Sequence, residues 1–253
     1  MAAEMREPKV VILGGGSWGT TVASNCARRG PTLQWVRSQE TANDINEHHR
    51  NTRYLGNDVV LSETLRATND FAEAANCADV LVMGVPSHVM GVPSHGFRGV
   101  RTELSKELRP WVPVVSLVKG LEQGTNMRMS QIIEEVLPGH PAGILAGPNI
   151  AREVGEGYAA AAVLAMPDQH LATLLAALFR TRRFRVYTSD DVVGGDGRCA
   201  EERLRHCRRD GLLAGHRREH PRTRHRAGIA RNDQAGRGTG RRPGHLSRAG
   251  RPG

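Results

Sequence analysis

KVVILGGGSWGT, residues 9–20, joins a short apolar run to a glycine-rich turn. Gly14, Gly16 and Gly19 form the pattern GxGxxG between a predicted strand and a predicted helix. In that setting, glycines allow a tight turn and let the backbone approach a pyrophosphate, which the N-terminus of the helix then faces. The stretch predicts a strand–turn–helix unit that binds a dinucleotide. The alternative is a tight turn that binds nothing.

The chain beyond this stretch alternates short apolar runs with helix-like stretches. The runs are rich in Val, Ile and Leu, as is typical of strands buried on both faces of a parallel sheet. We therefore expect an α/β fold with a doubly wound, mostly parallel sheet of the Rossmann type. The further runs are 32–36, 79–85, 112–118, 142–147, 160–166 and 184–188, and the helical stretches are 18–29, 63–76, 101–109, 126–137 and 168–180.

Charge and composition divide the chain after Gly194. Residues 1–194 carry 19 Lys and Arg against 20 Asp and Glu, whereas residues 195–253 carry 16 Arg against 6 acids and contain no Val, Phe, Trp or Tyr. We expect an N-terminal extension over 1–7, a dinucleotide-binding domain over 8–194, and a disordered Arg-rich tail over 195–253. That tail has too little apolar surface to offset the entropy of ordering.

The Arg-rich tail would bind phosphate backbones without selectivity, and it has no aromatic side chain for base stacking, so no specific nucleic-acid partner is expected. The four cysteines form no CxxC pair, and Cys199, His206 and Cys207 lack the spacing of a metal site. No apolar run approaches the ~18–20 residues of a membrane span. With its polar start and no sign of a signal peptide, the chain is expected to be cytoplasmic and to bind neither metal nor membrane.

A tandem repeat interrupts the fourth strand region. VMGVPSH occupies residues 82–88 and is repeated without change at 89–95. Architectural repeats have periods of roughly 20–50 residues, so we interpret this one as a short in-frame duplication. It adds backbone at the carboxyl end of a strand, where ligands bind in such folds, and either copy could occupy the native place.

Two cations lie where predicted strands end. Arg37 follows the second strand, where an acid usually holds the ribose hydroxyls of NAD, and an Arg can accept the 2′-phosphate of NADP. This favours NADP, or tolerance of both NADP and NAD; the alternative is a solvated side chain. Lys119 faces the ligand crevice and could hold a phosphate or a polarised oxygen, or it could simply extend into solvent.

Five segments occur together in a characteristic order: GGGSWGT, VPSH, SLVKGLE, GPNIAREV and RVYTSDDVVG. With them the chain resembles bacterial NAD(P)-dependent glycerol-3-phosphate dehydrogenase over residues 8–194, nearly all of that family's dinucleotide-binding domain. The resemblance implies interconversion of sn-glycerol 3-phosphate and dihydroxyacetone phosphate, small-molecule substrates that supply phospholipid synthesis. It also implies a homo-oligomer, whose interface the altered tail is expected to lack.

The resemblance also assigns roles to individual positions. It implies that Lys119 contacts both cofactor and substrate, and that Gly147 and Asn149 bind substrate, although many relatives have Ser or Thr in place of Asn149. The positions implied to contact the cofactor are Gly14, Gly16, Ser17, Trp18, Gly19, Arg37, Lys119 and Ala151.

The family's general base is a Lys in a Gly-Ala-Leu-Lys-Asn segment, and at that position this chain has Glu202. The codon sets of residues 195–207, read one nucleotide later, permit EMAGALKNVFAIA, which is the family's catalytic segment. We therefore interpret 195–253 as an out-of-frame reading and expect no catalytic residue and little turnover. The alternatives are a non-catalytic dinucleotide-binding module and a nucleic-acid-binding protein that acts through its Arg-rich tail.

Overall fold

The computed structural model describes residues 6–85, 104, 107–119, 121–122 and 125–195. All of them belong to one compact unit, Met1–Ala214, and the second unit, Gly215–Gly253, lies outside the described residues. The Arg-rich tail, Glu202, most of the tandem repeat and most of the helix predicted over 101–109 also lie outside them.

An eight-stranded sheet forms the centre of the described part, in the order β3-β2-β1-β4-β5-β6-β7-β8. Neighbouring strands are parallel except β6 and β7, which are antiparallel. This confirms the predicted doubly wound, mostly parallel α/β fold. The strands are β1 Val10–Leu13, β2 Thr32–Trp35, β3 Arg66–Thr68, β4 Val80–Met83, β5 Val114–Ser116, β6 Ala142–Ala146, β7 Ala160–Ala165 and β8 Phe184–Ser189.

Helices cover both faces of the sheet, as the alternation of β1 shows. Val10 and Ile12 belong to one apolar cluster, whereas Val11 and Leu13 belong to another on the opposite face. None of the helices in the described segments is both long and apolar enough to cross a membrane. These helices are α1 Ser17–Ala27, α2 Gln39–His48, α3 Thr52–Leu55, α4 Phe71–Asn76, α5 Met129–Val136, α6 Ala151–Gly155, α7 Gln169–Phe179 and α8 Val192–Gly195.

The helix predicted over 63–76 is wrong in its first half. Residues Arg66–Thr68 form the edge strand β3, which pairs in parallel with β2. The helix begins only at Phe71, where the carboxylate of Asp70 accepts a hydrogen bond of 3.1 Å from the backbone N–H of Glu73. Because strand β3 is only three residues long, its apolar pattern is too short to distinguish it from a helical turn.

Asp79 ties the N-terminal segment to the start of β4. Its carboxylate accepts hydrogen bonds from the Lys9 backbone N–H and the Arg6 guanidinium, both at 2.8 Å, and from Arg109 at 2.5 Å. Partial burial alone would raise the pKa of Asp79. These hydrogen bonds and the charge of Arg6 outweigh that effect and lower the pKa to about 2, so the carboxylate stays ionised and paired at neutral pH.

Candidate functional site

The turn between β1 and α1 is shaped by two glycines that no other residue could replace without displacement. Gly14 has a φ of +124°, and a Cβ at this position would lie 2.9 Å from the backbone of Gly84, just beyond β4. A Cβ at Gly19 would lie 2.6 Å from the carbonyl oxygen of Gly14. The first glycine lets the turn pass close to β4, and the second lets α1 pack directly on the turn.

The middle glycine of the pattern differs, because Gly16 borders open space. Its backbone is extended, with φ −72° and ψ 172°, and an added Cβ would meet nothing within 4 Å. Gly16 is the N-cap of α1, and no side chain caps the helix there. Backbone N–H groups at an uncapped helix N-terminus, with room in front of them, suit a pyrophosphate.

Two fully buried amides hold the turn from below. Gln34 Nε2 donates to the carbonyl oxygen of Gly14 at 2.9 Å, and Asn51 Nδ2 donates to that of Gly15 at 2.9 Å. Both amides also donate to the Thr20 hydroxyl oxygen, at 2.9 and 2.8 Å. The Gly14 N–H donates to the carbonyl oxygen of Trp35 at 3.0 Å, so the N–H groups that a ligand would meet are those that follow Gly14, at the start of α1.

Sequence reasoning did not find this pair of amides. Gln34 did carry a signal, since it is a polar residue inside the apolar run TLQWV, and buried polar side chains are almost always hydrogen-bonded. Asn51 carried none, because it lies in a polar loop after α2 and reaches the turn only through the tertiary fold.

The side chains flanking the turn take definite positions. The Ser17 hydroxyl donates to the carbonyl oxygen of Tyr54 at 3.0 Å, and Trp18 packs edge-on against Phe184 with ring centroids 6.1 Å apart. Arg37 is exposed just beyond β2 and makes no hydrogen bond or ion pair within the described segments. Asp44, the acid in the following helix, instead accepts a hydrogen bond from the backbone N–H of Thr52 at 2.8 Å.

A second group of predicted residues meets beyond β5 and β6. The carbonyl oxygen of Gly147 accepts hydrogen bonds from Lys119 Nζ at 2.5 Å and from the Asn149 backbone N–H at 2.9 Å. A Cβ at Gly147 would lie 2.6 Å from the carbonyl oxygen of Ala161, so only glycine fits there. The side-chain amide nitrogen of Asn149 is buried without a hydrogen-bond partner among the described residues.

The two groups share one edge of the sheet. Gly14, Gly84, Lys119 and Gly147 follow β1, β4, β5 and β6, which are adjacent and parallel, so their carboxyl ends lie side by side. The strand order reverses between β1 and β4, the position at which such sheets bind ligands. Near this edge Thr21 of α1 donates to the carbonyl oxygen of Ala151 at 3.0 Å, which joins α1 to α6.

The described cysteines have no place in this site. Cys26 is buried, and burial raises the pKa of its thiol, so it acts as a small packing residue. No cluster of three or more His, Cys, Asp or Glu side chains that could hold a metal occurs among the described residues. The open N-terminus of α1 suits anion binding by backbone N–H groups, and Arg37 and Lys119 are exposed cations just beyond β2 and β5.

Comparison with known proteins identifies the family. Residues 9–172 match the family described as NAD-dependent glycerol-3-phosphate dehydrogenase N-terminus. The chain belongs to this family. Glycerol-3-phosphate dehydrogenase [NAD(P)+] of Mycobacterium avium is 85% identical over 196 residues, which are 78% of this chain and 55% of the relative. A relative of the same name from Mycobacterium tuberculosis is 86% identical over 194 residues, 77% of this chain and 55% of the relative.

A solved structure agrees with this family membership. The glycerol-3-phosphate dehydrogenase of Coxiella burnetii superimposes with a TM-score of 0.66 and 27% identity, over 75% of this chain and 56% of that one. The chain thus spans about half the length of the curated relatives it matches. These findings confirm the predicted glycerol-3-phosphate dehydrogenase family and its NAD(P)-linked, Rossmann-type domain.

Proposed function

We propose that the gene for this chain specifies an NAD(P)-dependent glycerol-3-phosphate dehydrogenase, and that residues 8–194 of this chain form its dinucleotide-binding domain. The observation that supports this most directly is the geometry of the glycine turn. Gly14 and Gly19 have contacts that exclude a side chain, whereas Gly16 borders the open space that a pyrophosphate would fill. The names of the relatives supply the substrate, glycerol 3-phosphate, and the resemblance described above implies that its oxidation gives dihydroxyacetone phosphate.

The turn would hold the dinucleotide by its backbone. The N–H groups at the start of α1 face the pyrophosphate, and the positive end of the helix dipole favours it there. Ser17 and Trp18 belong to the first turn of α1, and Ala151 accepts a hydrogen bond from Thr21 of the same helix, so all three are candidates for contact with the cofactor. Arg37 is free to pair with the 2′-phosphate of NADP, so the chain accepts NADP and NAD, with NADP gaining the extra contact.

Substrate would bind at the group formed by Lys119, Gly147 and Asn149. The ammonium of Lys119 supplies positive charge for the substrate phosphate, and the unpartnered amide of Asn149 supplies a donor. A bound nicotinamide would supply the acceptor for the hydride from C2 of glycerol 3-phosphate. The proton of the C2 hydroxyl must go to a general base, and the family resemblance implies that this base is the Lys of the Gly-Ala-Leu-Lys-Asn segment.

This chain has Glu202 in place of that Lys, and the out-of-frame reading of 195–253 accounts for the change. The similarity to the mycobacterial relatives extends over 194–196 residues, which is about the number of residues that precede the out-of-frame segment. The loss of a general base lowers turnover on the order of 10²–10⁴-fold. We therefore propose that this chain binds the dinucleotide but turns over little glycerol 3-phosphate.

The test compares this chain with the product of the same gene after one base restores the frame and the second heptad of the repeat is removed. Binding of NADPH and NADH is followed by fluorescence, and turnover by absorbance with sn-glycerol 3-phosphate. We expect both proteins to bind, and only the restored one to turn over substrate. Turnover by this chain within tenfold of the restored enzyme would contradict the proposed inactivity, and absence of binding by both would contradict the proposed site.

Cofactor preference is tested with Arg37→Gln in the same assay. We expect its affinity for NADPH to fall about tenfold, with NADH affinity unchanged, since a charge-assisted pair of this kind is worth ~1.5–3 kcal/mol. Arg66→Gln is the matched control, because Arg66 is an exposed arginine whose guanidinium bonds only carbonyls near the start of β3. Equal losses for NADPH and NADH would show that Arg37 does not read the 2′-phosphate.

A further inference from the structure

A cavity of about 370 Å³ opens on the flank of α1, where the end of this helix meets the loops before β7 and β8. Its lining includes four arginines from two separate parts of the chain, Arg28 and Arg29 after α1, and Arg182 and Arg183 before β8. No acidic residue lines it among the described residues. A recess lined by charges of one sign concentrates the field and attracts the opposite charge.

This concentration of positive charge is unusual for the domain in which it lies. Residues 1–194 are nearly neutral, with 19 cations against 20 acids, yet four of the cations surround one recess. Glu156, the acid next to the lining residue Gly157, is already paired with Arg152 at 2.8 Å. Residues 195–253 carry an excess of arginine and so do not complement the cavity in charge.

One hydrogen bond fixes the rim of the recess, and one buried amide in its lining lacks a partner among the described residues. The Arg183 guanidinium donates to the carbonyl oxygen of Gly157 at 2.8 Å, which holds one arginine across the rim. Asn25 lines the cavity from α1 and is 7% exposed, and its amide nitrogen has no hydrogen-bond partner among the described residues. A buried amide left unpaired is unfavourable, so a polar ligand in the cavity would remove a cost that the folded chain otherwise carries.

The recess is separate from the glycine turn. Gly16 precedes the first residue of α1, whereas Arg28 follows its last, and a helix of 11 residues is about 16 Å long. None of the residues to which the dinucleotide or substrate was assigned lines the cavity. We propose that this cavity, between α1 and the segment 181–184, is a second anion site that binds the phosphate or diphosphate group of a free small molecule.

The chemistry follows from the side chains. Guanidinium groups bind phosphate oxygens in a forked, two-bond geometry, and several of them around one recess favour a dianion or a diphosphate over a carboxylate. Tyr158, half-exposed at the rim, offers an aromatic surface to whatever group the phosphate carries. Inorganic pyrophosphate is the simplest probe of this site.

The experiment titrates the full chain with pyrophosphate by calorimetry at about 0.15 M salt, where exposed charges are screened beyond ~8 Å. Saturating NADPH is present to fill the glycine turn. Arg28→Gln and Arg182→Gln each remove one charge from the cavity, and Arg66→Gln removes one from the opposite edge of the sheet. We expect each cavity variant to weaken binding at least about tenfold, and the control to bind as the unaltered chain does.

Each possible result decides the proposal. No saturable binding would overturn it, because the cavity would then hold no anion. Equal binding by all four proteins would also overturn it, since pyrophosphate would then be held by general positive charge, including that of residues 195–253. Vesicles containing phosphatidic acid form a second arm. Recruitment to vesicles that depends on Arg182, without binding of pyrophosphate, would overturn the assignment to a free ligand. If pyrophosphate binds in an Arg182-dependent way but NADPH does not bind at all, the cavity stands and the proposed function fails.

Discussion

The glycine turn and the Lys119 group lie on the same edge of the sheet, yet they are built differently. The turn is closed by backbone contacts and by the buried amides of Gln34 and Asn51. The Lys119 group is open, because Lys119 itself is exposed. Leu121, two residues after Lys119, is 52% exposed, and Ile150, next to Asn149, is 60% exposed. The groups that hold the turn lie in the described part of the chain, whereas the second group includes exposed polar and apolar side chains there.

This difference separates binding from catalysis along the chain. A dinucleotide site made of backbone N–H groups needs β1, α1, β4 and the two buried amides that hold the turn, and all of these lie within residues 10–84. A site for hydride and proton transfer also needs a general base and exclusion of water, which require a second wall over Lys119 and Asn149. Under the proposed function, we therefore expect alterations after residue 194 to remove turnover and to leave dinucleotide binding.

The largest effect is expected from two glycines of the closed turn, Gly14 and Gly16, each replaced by alanine. Gly14→Ala places a side chain at φ +124° and 2.9 Å from the backbone of Gly84, so the free energy of unfolding should fall by about 3 kcal/mol. Gly16→Ala enters open space at an ordinary φ and should leave stability unchanged. Both should weaken NADPH binding at least about tenfold, because the added methyl at Gly16 occupies the place of the pyrophosphate.

Urea unfolding and NADPH fluorescence measure the two quantities independently. The informative variant is Gly16→Ala, since it is expected to lower NADPH affinity without changing the stability of the fold. Unaltered NADPH affinity in that variant would mean that the open space in front of α1 is not where the dinucleotide binds.

A smaller effect should follow from removal of one buried amide. Asn51→Leu keeps the size of the side chain but leaves the carbonyl oxygen of Gly15 without its 2.9 Å partner, which should cost about 2 kcal/mol of stability. The carbonyl would then keep only the long 3.4 Å hydrogen bond from the Thr20 hydroxyl and can turn outward, so NADPH affinity should also fall about tenfold. The matched control is Asn46→Leu, which removes an amide that pairs with the backbone of Ala67 in β3, away from the turn.

Both asparagine variants should lose stability in thermal unfolding, but only Asn51→Leu should lose affinity at a temperature where both are folded. If the two variants lose affinity in proportion to their stability, Asn51 supports the fold and has no separate role in shaping the turn.

The same contrast explains what could be predicted from the sequence. The strand–turn–helix around Gly14 was predictable, because its glycines act within one short segment and their required spacing, GxGxxG, is visible in the sequence. Strand β3 was not predictable, because its three residues are held at the edge of the sheet by pairing with β2. Three residues are too few to show the alternation of apolar and polar positions that marks a strand. Asn51 was also not predictable, because 36 residues separate it from Gly15 and only the folded chain brings them together.

The smallest effect is expected at Lys119, and it tests the open half of the comparison. Lys119→Met keeps the aliphatic stem and removes one exposed ammonium, so the free energy of unfolding should change by less than about 0.5 kcal/mol. The carbonyl oxygen of Gly147 keeps its hydrogen bond from the Asn149 backbone N–H at 2.9 Å, which limits the loss further.

In the frame-restored enzyme the same substitution should raise the KM for glycerol 3-phosphate at least tenfold, because the substrate phosphate loses its cation. Arg66→Gln again controls for the lost charge. A loss of stability near that of Asn51→Leu would show that Lys119 fastens β5 to the Gly147 loop as a structural residue, and the division between a closed and an open half would then fail.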